Sequence, residues 1–165
     1  MSERRLVPVL LTIALLAAIG GIAANSGDDD REFKAVLTGA NEVPPVDTDT
    51  SGKAEFEVNR DQTKIKFELK IRNATKILGV AGAHIHCAPE GVNGPIVAFL
   101  AGPVTGGFDG KVEIEATLTA ENITNTACGA TIADLVQSMR DGDTYVNAHS
   151  PAFPGGEVRG QIEGD

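Results

Sequence analysis

The stretch AEFEVNRDQTKIKFELKI, residues 54–71, constrains the fold more than any other. Ala54, Phe56 and Val58 alternate with charged residues, and Ile65, Phe67, Leu69 and Ile71 do the same after a polar NRDQ turn. A period of two sends successive side chains to opposite faces of a strand. Two such runs joined by a short polar connection make an antiparallel hairpin with one apolar and one solvated face.

The same pattern recurs along the chain. EFKAVLTG from Glu32 reads as a first strand, and ANEVPPVDTDTSG as a loop whose paired prolines exclude a central strand. KILGVAGAHIHC reads as a continuing strand, bent or bulged at its glycines. APEGVNG turns, PIVAFLAG is a short strand, VTGGFDG is a loop, and KVEIEATLT alternates again. TIADLVQSMRDG breaks the β pattern, because Ile132, Leu135, Val136 and Met139 fall at helical spacing. Thr131 can cap that helix with Asp134 three residues on, and Gly142 can end it, so one short helix is expected near 131–140. DTYVNAHS and GEVRGQIEG close the chain as strands joined by SPAFPGG. With 4% aromatics and 19 glycines, small and β-branched side chains must fill the core. The expectation is an all-β, antiparallel sandwich or small barrel, without a repeat or a second domain.

The N-terminus carries a targeting signal. MSERR supplies positive charge, LVPVLLTIALLAAIGGIAA an apolar run, and NSGDDD restores polarity. Residues 1–24 therefore read as a signal peptide cleaved after Ala24 or as an uncleaved membrane anchor, and 25–32 as an acidic linker. Either places the folded part outside the cytoplasmic membrane, secreted or tethered at the cell surface. In that oxidising setting the two cysteines, Cys87 and Cys128, read as one disulfide. The competing role of Cys87 as a metal ligand suits strand alternation less well, because His84 and His86 point to the other face. Asn73 and Asn122 each open an N-x-Thr sequon open to glycosylation in an exported chain. A net charge of −9 argues against nucleic acid as a partner.

Three histidines, His84, His86 and His149, all lie in segments with strand character. Parity puts His84 and His86 on one face of their strand, with Tyr145, Asn147 and His149 sharing a face of a second, and Glu157, Arg159 and Gln161 a face of a third. If these strands are neighbours, the residues form one patch. Imidazoles two residues apart on a strand, joined by a third, can hold zinc or copper, with Glu157 or Tyr145 as a further ligand or support. The alternative is a hydrogen-bonded polar network that pins the strands. Glu42 in ANEVPP reads as a loop carboxylate, and Asp47 and Asp49 lack the spacing of a calcium loop. No serine elbow, phosphate loop or cysteine–histidine nucleophile pair is present, so no catalysis is expected.

LTGANEVPPVDTDTSGKAEF, AHIHCAPEGVNGPIVAFL and LVQSMRDGDTYVNAHSPAFPGGEVRGQI, in that order, make residues 33–164 resemble the CHRD domain, the module named after chordin. The resemblance implies an immunoglobulin-like β-sandwich or barrel with limited similarity to copper/zinc superoxide dismutases. Together with the export signal and the lack of a recognised catalytic set, it leads to the expectation of an extracellular binding or structural module, with an unknown extracellular protein or glycan as partner. Three histidines cannot fill the two metal positions of a superoxide dismutase, and no Asp stands in a bridging context, so dismutase activity is not expected. Membrane contact is expected only through the N-terminal segment.

Overall fold

The computed structural model describes residues 31–164. The expected export segment and most of the acidic linker lie outside the described residues. Nine strands form one antiparallel sheet: β1 Glu32–Thr38, β2 Ser51–Val58, β3 Ile65–Ile77, β4 Ala83–Cys87, β5 Ile96–Ala101, β6 Phe108–Leu118, β7 Thr144–Ala148, β8 Val158–Gln161 and β9 Glu163–Gly164. Their order is β5-β4-β7-β8-β1-β2-β3-β6, with β9 beside β1, and the sheet curls into a nearly closed barrel. Among the described residues one α-helix, α1 Ile132–Arg140, precedes β7, and two single-turn 3-10 helices lie at Gly39–Asn41 and Ala120–Asn122.

The alternating runs do what their period dictates. Phe33, Leu37, Phe56, Ile65, Phe67, Leu69 and Ile71 point into the barrel and are buried, while Lys53, Glu55, Lys66 and Lys70 face water. The β2–β3 register pairs Phe56 with Phe67, whose ring centroids lie 6.5 Å apart. The connection is wider than NRDQ alone: Asn59 Oδ1 accepts from the Thr63 and Lys64 amides, and the turn runs through Lys64. Thr131 and Asp134 form the expected capping box, and Ile132, Leu135, Val136 and Met139 bury one stripe of α1.

Two segments depart from expectation. KILGVAGAHIHC is not one bent strand. β3 slips register between Ile71 and Ala74 and again between Ala74 and Ile77, and the chain leaves the sheet from Leu78 to Gly82. Asn73, Lys76 and Leu78 take left-handed φ values of 55°, 55° and 62°, which pairing cannot follow. Phe108, Asp109 and Gly110, expected in a loop, begin β6 by pairing with this irregular end of β3.

The faces of β4, β7 and β8 hold the second surprise. Alternation predicts every other residue in water, yet all five residues of β7 are buried. Inward go Ala83, Ile85, Val146, Ala148 and Val158, all part of the core. The outward residues are polar and equally shielded, because the 39–50, 88–95 and 149–157 segments fold back over them. Asn93 bridges two of these covers by donating to the Val43 carbonyl at 2.8 Å.

Candidate metal centre

The sheet order makes β4, β7 and β8 consecutive neighbours. His84 opposes Asn147, which opposes Arg159; His86 opposes Tyr145, which opposes Gln161. The expected patch therefore assembles, as a buried layer rather than an open surface. His84, His86 and His149 are 1%, 8% and 6% exposed. Each offers one ring nitrogen, and these nitrogens lie within 4.8 Å of one another.

Every imidazole is tied by one nitrogen to a backbone carbonyl. His84 Nε2 lies 2.8 Å from Ala81 O, His86 Nδ1 2.8 Å from Gly94 O, and His149 Nδ1 3.1 Å from Pro154 O. A carbonyl only accepts, so the His84 and His86 nitrogens carry the protons; His149 has an acceptor oxygen at each nitrogen, Pro154 O and Asn147 Oδ1, and its Nδ1–H tautomer is the one that frees Nε2 to act as a ligand. Burial lowers the pKa of His84 and His86, and it lowers that of His149, with help from the nearby His84, to about 4. The rings are therefore neutral near pH 7, and in the tautomers protonated at the backbone carbonyls the opposite nitrogens, His84 Nδ1, His86 Nε2 and His149 Nε2, bear lone pairs.

Those lone pairs crowd together. His84 Nδ1 faces His149 Nε2 at 3.2 Å, and Asn147 Oδ1 stands 3.1 Å from His149 Nε2. His86 Nε2 is buried and meets no hydrogen-bond partner among the described residues. Electron pairs this close repel unless a proton or a cation joins them; the lowered pKa values disfavour a second proton on any ring, and in the tautomers protonated at the backbone carbonyls a cation fills that role. Two nitrogens 3.2 Å apart match ligands at about 2.0–2.1 Å from one ion, with roughly 100° between the bonds.

The surroundings hold the rings in place. Tyr145 stacks on His86 at 4.7 Å between centroids, and the Arg159 guanidinium lies 3.5 Å from the Tyr145 ring centre. Arg159 also donates to Val92 O and Asn93 Oδ1, and the Tyr145 hydroxyl accepts from the Gly94 amide. Gln161 donates to Ala88 O and Gly142 O. Phe99 sets its ring edge-on to His84 at 4.6 Å and is the partly exposed outer wall. The Glu157 carboxylate turns to Thr48, whose hydroxyl donates to its Oε1 at 2.9 Å. Cys87 and Cys128 are joined in a disulfide, so neither offers a thiolate.

Sequence reasoning did not foresee the three carbonyls bonded to the rings, nor the role of Phe99. The only trace is that each histidine is flanked by a glycine- or proline-bearing turn, in VAGAH, VNGP and PAFPGG.

The remaining candidates lie elsewhere. Asp47 and Asp49 are exposed. Asn73 and Asn122 are exposed, with the Asn73 amide donating to Asp49 O at 3.3 Å. Glu42 is buried against Gly156, and burial, opposed by the Arg159 charge, raises its pKa to about 7.

No curated protein matches the chain. The family model described as the CHRD domain matches residues 33–162, a span that holds β2 to β8, all of β1 but its first residue, and every residue of the histidine cluster. The chain belongs to the CHRD domain family.

Proposed function

We propose that this CHRD domain works outside the cytoplasmic membrane as a non-catalytic binding module, and that His84, His86 and His149 hold one copper or zinc ion within it. The observation that supports this reading is the convergence of three neutral ring nitrogens, each with its other nitrogen tied to a backbone carbonyl. Hydrogen bonds of that kind set ligand tautomer and orientation around metals. Neutral imidazoles without thiolate or carboxylate suit zinc and copper rather than calcium or magnesium. The apolar N-terminal run and the Cys87–Cys128 disulfide fit an oxidising exterior.

Calorimetric titration of the purified protein with copper and with zinc tests this, with His84→Ala and His149→Ala alongside. One-to-one binding, weakened at least about 100-fold in both variants while their β-sheet circular dichroism persists, is the expected result. Absence of binding, or binding indifferent to both substitutions, would overturn it.

A further inference from the structure

Glu42 sits in the loop between β1 and β2, apart from the histidine cluster. Its side chain is 5% exposed, and Oε1 meets no hydrogen-bond partner among the described residues. A buried acceptor left unmatched costs free energy, so such a group calls for an explanation. The fold holds it there by design of the backbone: Gly156 has φ +134°, and a side chain at that position would collide with the Glu42 carboxylate.

Glu42 borders a cavity of about 390 Å³ between its own loop, the outer face of β1, β8, β9 and the 88–95 loop. That volume is within the range of small-ligand sites, about 300–1,000 Å³. Two more carboxylates, Glu90 and Glu163, line it, and Val36, Val43 and Pro45 give it an apolar wall. Val36 is 59% exposed on an otherwise polar strand face. The cavity also has two cations, but both are engaged. Arg159 is committed to Val92, Asn93 and the Tyr145 ring, and Lys34 opposes Glu55 in the β1–β2 register. The Arg159 partners are neutral groups, so its charge still acts on Glu42, but with Glu42, Glu90 and Glu163 ionised against Lys34 and Arg159 the lining carries one net negative charge, the sign of the chain as a whole.

We infer that this cavity binds a compact organic cation, an alkylammonium or guanidinium group, whose charge meets Glu42 and whose hydrocarbon stem lies on Val36, Val43 and Pro45. The group can come from a small amine or from a lysine or arginine side chain of a peptide. Binding favours the ionised carboxyl. Glu42 titrates about pH 7 among Arg159 on β8, Lys34 on β1, Glu163 on β9 and Glu90 in the 88–95 loop, so uptake of the cation near neutrality expels protons.

The test uses chelator-treated protein, which keeps the histidine cluster out of the measurement. Putrescine, arginine methyl ester and a short arginine-containing peptide are titrated calorimetrically in two buffers of different ionisation enthalpy, with N-acetylglutamate as the anionic control. The expected result is binding of at least one cation, proton release near pH 7, no binding of the anion, and a tenfold or greater weakening with loss of proton release in Glu42→Gln. Preference for the peptide or for the small amines identifies the carrier. No cation binding by the folded protein, or equal binding and proton release in Glu42→Gln, would overturn the inference.

Discussion

Glu42 carries a carboxyl group into a place where its charge is poorly solvated, and this gives a stability signature. Its folded pKa, about 7, lies above the ordinary 4.5, so the folded state holds this proton more tightly than the unfolded chain. Below pH 4.5 both states are protonated and no cost arises. Between 4.5 and 7 the cost of ionising in the fold grows, and above 7 it is complete, on the order of 2–3 kcal/mol. The buried histidines act oppositely, because their lowered pKa values make the fold lose stability as pH falls below 6.5. The wild-type profile therefore mixes both, and the difference between variants isolates Glu42. Glu42→Gln should match wild type near pH 4 and exceed it by about 2–3 kcal/mol at pH 8 in denaturant unfolding; an equal margin at both pH values would contradict the assignment. At this scale the sequence was partly legible. Strand parity alone placed His84, His86, Tyr145, Asn147 and Arg159 on shared faces. It could not show that the faces are buried, because the residues that bury them belong to loops with no period to read.

Among the elements, the disulfide has the clearest mechanical role. It joins the end of β4 to the segment before α1 across a sequence separation of 41. Cys87 also follows His86 directly, and its amide donates to Pro95 O across the mouth of the 88–95 loop. Closing a loop of this length removes unfolded-state freedom worth roughly 4 kcal/mol in the chain-entropy model. Reduction should lower the denaturation midpoint accordingly, as read by urea unfolding with and without reductant; an unchanged midpoint would show that the cross-link contributes nothing. The β2–β3 hairpin was legible because one face is solvated and the other packed, so its period survives in the composition. The break at Leu78–Gly82 was not. It depends on left-handed backbone at Lys76 and Leu78, residue types that seldom adopt it, and on pairing with a distant strand.

For the molecule as a whole, the barrel divides its polar residues by their exposure to water. β1, β2, β3 and β6 present rows of exposed charge, with Glu55, Glu68 and Glu115 facing one another across three strands and lysines such as Lys66 and Lys70 bridging them. Such exposed pairs add little stability, and they keep that side hydrated. β4, β7 and β8 instead turn their polar residues into a sealed layer, where the unusual chemistry collects. One feature of that layer doubles as an optical one. Tyr145 is the chain's single tyrosine, there is no tryptophan, and its ring lies flat against His86. The entire ultraviolet emission of the protein beyond phenylalanine thus comes from a fluorophore in contact with a proposed ligand. Copper(II) arriving at His86 should quench that emission stoichiometrically, whereas zinc, having a filled d shell, should leave most of it. An emission unmoved by saturating copper would mean that the ion sits elsewhere. The stacking that holds an imidazole in place makes the protein its own indicator, with no label added.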